Sequence, residues 1–164
     1  MSEKISKPFP NRITVSGEFK NLKKILGFVQ KVVRKAGFSE AENYKIQLAV
    51  DEAFTNIIEH AYGAEKIGDI ECLCDYKDPD IIIQLIDFGH PFDPRSIDAP
   101  NLNANLMDRK TGGLGLYFIH QLMDEVKFYS IPVNDSPMNQ SSSTQPCNVL
   151  IMVKRRGNPY EASD

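Results

Sequence analysis

The sequence predicts an α/β domain. Three segments repeat apolar residues at helical spacing, and five short apolar segments read as strands around them. The length, 164 residues, favours one domain with a single core.

Residues 1–12 read as a polar tail, residues 13–156 as the folded domain and residues 157–164 as a second polar tail. Ile13 to Val15 starts the first strand. Leu22, Ile25, Leu26, Val29, Val32, Val33 and Ala36 then recur at helical spacing, with Lys23, Lys24, Lys31, Arg34 and Lys35 around them. Gly37 suits the end of that helix. Ser39-Glu-Ala-Glu42 has the form of a capping box, so a second helix starts there. Its apolar stripe runs Ile46, Ala49, Val50, Ala53, Phe54, Ile57, Ile58, Ala61. Glu52, Asn56 and His60 form a line along one flank of the stripe, at the lip of the core.

Asp69 to Tyr76 and Ile81 to Ile86 are predicted strands, and the second, apolar throughout, is expected to be central. Pro91 to Lys110 is polar, holds three prolines and shows no period, which suits a functional lid. Leu114, Phe118, Ile119 and Leu122 mark a third helix. Val126 to Ile131 and Val149 to Val153 complete the sheet. Between them Pro132 to Pro146, rich in Ser, Asn, Gln and Pro, reads as a mobile hairpin loop.

Hydrophobic residues make up 41% and charged residues 25%, ordinary values for a globular domain. A net charge of -3 does not suggest nucleic-acid binding. No apolar run approaches the roughly 20 residues of a membrane span, and the N-terminus has no apolar signal region. Three cysteines cannot all pair, so a reduced, cytoplasmic setting is expected. Cys72 and Cys74 alternate on one strand face. Two further ligands for a metal are missing nearby, so they read as small strand residues.

Three motifs carry chemistry. Glu52 and Asn56 stand one helical turn apart. Magnesium takes few protein ligands, and Asn56 can supply one neutral oxygen without repelling a triphosphate. Glu52 can accept a proton from an attacking hydroxyl. In isolation, though, Glu-x-x-x-Asn is most often a solvated pair on an amphipathic helix. Asp87, at the end of the apolar strand, precedes Gly89 in an Asp-x-Gly turn. A carboxylate there can accept from the adenine amino group, where guanine presents a carbonyl. Gly89 would let backbone approach a base closely; alone, the motif is a plain turn. Thr111-Gly-Gly-Leu-Gly-Leu116 opens the third helix. Free N–H groups at a helix start favour phosphate, but no Gly-Lys-Ser/Thr follows, so this is not a Walker A loop.

With these residues in view, the chain resembles the GHKL ATPases and is most similar to their bacterial anti-sigma-factor serine/threonine protein kinase branch. Glu52-Ala-Phe-Thr-Asn56 with His60-Ala-Tyr62 matches the N-box. Asp87-Phe-Gly-His-Pro-Phe-Asp-Pro94 matches the first glycine box. Gly112-Gly-Leu-Gly-Leu116, with Met123-Asp-Glu-Val126 behind it, matches the second. The resemblance spans about Ile13 to Arg155. It implies a two-layer α/β sandwich of the Bergerat type, a mixed, mostly antiparallel sheet with helices on one face, and a mobile ATP lid.

It also implies ATP with Mg²⁺, Glu52 as catalytic base, Asn56 as magnesium ligand and Asp87 as adenine reader. Gly89, Thr111, Gly112, Gly113, Leu114, Gly115 and Leu116 would complete the nucleotide site. Arg95, Arg109 and Lys110 in the lid are open candidates for the γ-phosphate. The implied partner is an anti-anti-sigma (STAS-type) protein, phosphorylated on serine, with a sigma factor as a possible second partner and a homodimer as the usual state. Two departures stand out. Many relatives end the last hairpin with Gly-Thr, whose hydroxyl supports adenine through water. Here Cys147-Asn-Val149 falls there, so Val149 lacks the hydroxyl unless a register shift lets Asn148 compensate. The 132–146 segment is also longer than usual.

Two rivals remain at this point. One is a non-catalytic module that uses nucleotide only to hold a partner. The other is a detached histidine-kinase catalytic domain, which needs a helical hairpin with a phospho-accepting His. His60 instead lies in the nucleotide helix, and His90 and His120 lie beside the glycine boxes.

Overall fold

Strand β1 (Asn11–Ser16) begins two residues before Ile13 and leads through a short 3₁₀ turn (Phe19–Asn21) into helix α1 (Leu22–Lys35). The computed structural model of the chain describes residues 11–63, 67–91, 111–131 and 146–158. On α1, Ile25, Val29 and Val33 face the core, while Lys23, Lys24, Lys31, Arg34 and Lys35 stay toward solvent. The helix stops at Gly37, whose φ of 80° costs glycine no Cβ clash and turns the chain toward the next helix. Helix α2 (Glu40–Asn56) starts at the capping box anticipated from the sequence. The Ser39 hydroxyl accepts from the Glu42 N–H at 3.2 Å, and the Glu42 carboxylate accepts from the Ser39 N–H at 2.7 Å.

The α-helix does not run on through Ala61. From Ile57 to Tyr62 the chain widens into a π-helical turn that ends at Gly63, φ 67°. Apolar spacing does not reveal this, because Ile57 and Ala61 are buried here just as the amphipathic stripe leads one to expect. His60 therefore leaves the regular α-helical line set by Glu52 and Asn56.

Strands β2 (Asp69–Lys77) and β3 (Asp80–Asp87) form a hairpin. Helix α3 (Thr111–Leu122), β4 (Glu125–Ile131) and β5 (Cys147–Arg155) follow. The sheet order is β1-β2-β3-β5-β4, and all four pairings are antiparallel. The apolar strand β3 is central, as its composition predicts. The segment expected to be a lid, Pro91 to Lys110, lies outside the described residues from position 92 on, as does the 132–145 part of the segment expected to be a mobile hairpin loop.

Strand alternation sorts the side chains into two layers. Ile70, Cys72 and Cys74 of β2, Ile81, Ile83 and Leu85 of β3, and Leu150 and Met152 of β5 join one core. From the helices that core takes Ile25, Val29, Val33, Ile46, Val50, Phe54 and Ile119. The opposite parity, Leu73, Ile86, Cys147 and Val149, forms a smaller apolar cluster on the other face of the sheet. The helices thus cover one face, as expected for a two-layer α/β sandwich. All three cysteines are buried, and burial lifts the Cys74 thiol to about 12.

Candidate functional site

Parity decides where Asp87 goes. It is two residues beyond Leu85 on β3, so its carboxylate faces the helical layer rather than solvent. Asn148, its register partner on β5, is two residues before Leu150 and faces the same way. Both are almost completely buried, Asp87 at 4% and Asn148 at 3% exposure. They line one wall of a pocket between sheet and helices. Ala53, Asn56, Ile57 and Ala61 form the α2 side, Leu116 and Ile119 come from α3, and Phe128 and Leu150 close the floor. A largely apolar slot with two buried polar groups suits a flat heterocyclic base.

The Asp87 Oδ1 atom accepts the Gly89 N–H at 3.0 Å and the Asn148 amide at 2.9 Å. The same amide nitrogen donates to the His90 carbonyl at 3.0 Å. The Ser130 hydroxyl donates to Asn148 Oδ1 at 3.2 Å. Burial pushes Asp87 above the usual aspartate range, and the Asn148 and Gly89 donors pull against that shift. Val149 points into the far-face cluster, so Asn148 takes the position beside the carboxylate. A period-2 strand makes this a question of one residue of register, which sequence left open.

The Asp-x-Gly turn is clamped to the π-helical turn that follows α2. The Tyr62 hydroxyl accepts the Phe88 N–H at 2.9 Å and donates to the Asp69 carbonyl at 2.5 Å. The His90 N–H reaches the Ala61 carbonyl at 2.8 Å. Any Cβ on Gly89 would run into that same carbonyl group. The close approach visible at Gly89 is therefore to the π-helical turn. Sequence reasoning missed Tyr62, whose phenol is lifted to about 12 chiefly by burial. Its only signal was its place at the end of the His60-Ala-Tyr62 segment.

Asn56 is half-buried and lines the pocket; Glu52, one turn earlier and also half-buried, is not among the lining residues. Neither side chain hydrogen-bonds to any described residue. Helix α3 lies directly over them. A Cβ on Gly115 would stand 2.9 Å from Glu52 Oε2 and 3.2 Å from the Asn56 amide nitrogen. Gly115 is past the first turn of α3, so what it offers here is room. Thr111, Gly112, Gly113 and Leu114 form the start of that helix, where backbone N–H groups lack intrahelical acceptors. Burial, then the nearby Asp51 and Glu59 charges, raise Glu52 above the usual glutamate range. That shift makes it a better proton acceptor than an exposed glutamate.

The uncommitted Asn56 oxygen, with no cation beside it in the sequence, fits a magnesium ion carried in on a triphosphate. Among the described residues no group of three or more His, Cys, Asp or Glu side chains could hold a metal by itself. Arg95, Arg109 and Lys110 lie outside the described residues. His60, His90 and His120 do not line the pocket.

The profile of the family described as "Histidine kinase-like ATPase domain" matches residues 15–154 of the chain. The chain is similar to the serine-protein kinase RsbW of Staphylococcus epidermidis, 34% identical over 123 residues, 72% of this chain and 76% of that protein. It is similar to the protein of that name in Listeria innocua serovar 6a, 31% identical over 102 residues, 60% of this chain and 65% of that one. Against the Bacillus licheniformis protein of the same name it is 33% identical over 100 residues, 58% of this chain and 62% of the relative. The chain thus spans just under two thirds of the Listeria and Bacillus relatives.

Proposed function

Since the chain belongs to the histidine kinase-like ATPase domain family, we propose that it is an ATP-dependent serine protein kinase of a partner-switching circuit. One observation carries this reading. Glu52 and Asn56, both half-buried, lie together under Gly115, and Asn56 lines a pocket that also holds the buried Asp87 carboxylate. The names of the relatives support the same activity.

In the proposed reaction the adenine amino group donates to Asp87, and the apolar walls of the pocket exclude water from the base. Asn56 would hold the magnesium ion, which supplies charge neutralisation on the phosphates. The serine hydroxyl of the partner stands against Glu52. Its oxygen forms a bond to the γ-phosphorus, the bond to the β-bridging oxygen breaks, and Glu52 takes the hydroxyl proton. ADP and phosphoserine are the products. Catalysis of this kind is mostly positioning and charge neutralisation. The N–H groups of Thr111 to Leu114 are suited to the phosphates.

The acceptor we propose is an anti-anti-sigma protein of the STAS type, with a sigma factor as the competing partner and a cytoplasmic homodimer as the working state. Glu52→Gln tests the activity. The amide is nearly isosteric, so Mg·ATP binding should survive, while transfer to the partner falls by at least about a hundredfold. Transfer at the parental rate would remove Glu52 as the base. No transfer by the parent to any anti-anti-sigma protein would favour a module that binds nucleotide only to hold its partner.

A further inference from the structure

We propose that Asn148 is a positioning residue that sets base preference, by holding Asp87 so that one carboxylate oxygen alone is open to the bound base. The inference rests on the nucleotide-site reading above but not on the kinase activity.

Asn148 has no spare donor. Both hydrogens of its amide nitrogen have acceptors, Asp87 Oδ1 at 2.9 Å and the His90 carbonyl at 3.0 Å. Its oxygen accepts from Ser130 at 3.2 Å. These three contacts fix which end of the amide faces Asp87. Oδ1 of Asp87 in turn carries two donors, Asn148 and the Gly89 N–H. Oδ2 has no hydrogen-bond partner among the described residues, although the whole residue is 4% exposed. Oδ2 is not among the fully buried atoms left without a partner, so it keeps access to the pocket that Asp87 lines, where a ligand donor can reach it. The adenine amino group can supply that donor. Guanine presents a carbonyl oxygen at that place and would leave two acceptors facing each other.

Without Asn148 the carboxylate would lose one of the two donors that fix its rotation. Either oxygen could then face the base, and a water could enter to bridge to guanine. Discrimination would fall further than affinity. The hydroxyl that the resemblance leads one to expect on β5 is here replaced by an amide one residue earlier, on the side of the strand that faces the pocket.

Calorimetry on the full chain with Mg·ATP and Mg·GTP tests the proposal. The parent should prefer ATP. In Asn148→Ala the ATP-to-GTP preference should fall about tenfold, roughly one hydrogen bond to a charged group. Asn148→Ser keeps a donor and should recover much of the preference. If Asn148→Ala does not fold, Asn148→Leu, similar in volume and without a donor, takes its place. An equal loss for both nucleotides, or an unchanged preference, would reduce Asn148 to a structural role and overturn the proposal. A parent that binds neither nucleotide would overturn the site reading itself. A parent that binds both equally would overturn base reading by Asp87, and the role of Asn148 with it.

Discussion

Among the described residues two carboxylates, Glu52 and Asp87, are lifted by burial, and they answer to pH in different ways. Glu52 must be ionised to take a proton. Its pKa is raised by burial and by Asp51 and Glu59, so phosphotransfer should decline as pH falls through a value above the ordinary glutamate range. A rate profile with that limb, absent in Glu52→Gln, is the expected result. Asp87 is a matter of stability. An acid with a raised folded pKa favours the fold when protonated. That contribution is complete below its unfolded value and is lost as pH rises through the folded one. At neutral pH the parent therefore carries the cost of a buried carboxylate that forms no salt bridge among the described residues. Asp87→Asn removes that cost and keeps an oxygen for the Gly89 and Asn148 donors. Its melting temperature relative to the parent should be higher near neutral pH than near pH 4, while ATP affinity falls. A melting difference independent of pH would contradict this account.

At the scale of elements, the site depends on two contacts between segments distant in sequence. The first is α3 on α2. Gly115→Ala favours the helix by up to about 1 kcal/mol in propensity, yet its methyl would push against the Glu52 carboxylate. Stability should hold or rise while kcat falls by about a hundredfold from misplacement of the base. Unchanged kcat would mean that Glu52 has room to move. The second contact is the Tyr62 clamp. Tyr62→Phe keeps the ring but removes the acceptor for the Phe88 N–H and the donor to the Asp69 carbonyl. Chemical denaturation should show a loss of about 1–3 kcal/mol. A smaller loss would mean that water replaces the phenol. The wide turn at Ile57–Tyr62 is what brings Ala61 and Tyr62 against the Asp-x-Gly turn.

For the molecule as a whole, the central strand is the anchor. Ile81, Ile83 and Leu85 are fully buried between β2, β5 and the helices, and Asp87 continues their row into the pocket. Ile83→Ala should cost about 2–5 kcal/mol, read from the denaturation midpoint. Because the row ends in Asp87, nucleotide affinity should weaken with it. A stable Ile83→Ala protein would mean that the core has collapsed around the missing side chain.

Local physics made most of the fold legible in advance. Apolar spacing marks α1 and α2, the Ser39–Glu42 capping box marks the start of α2, and Gly37 marks the end of α1. The unbroken apolar composition of β3 predicts its central place, because a strand covered on both faces has no polar side to show. These signals lie within one element, so the chain carries them without its partners. Glu52, Asn56 and Asp87 were legible as types in a pattern. What the tertiary structure alone decided lies between elements. It chose the register that puts Asn148, not Val149, beside Asp87. It widened the helix at Ile57–Tyr62 and turned Tyr62 into a clamp. It assigned Gly89 to the Ala61 carbonyl and Gly115 to the Glu52 carboxylate. Each of these depends on two backbones meeting within a few ångströms, a distance that packing and hydrogen-bond satisfaction set and that no periodicity in one segment encodes.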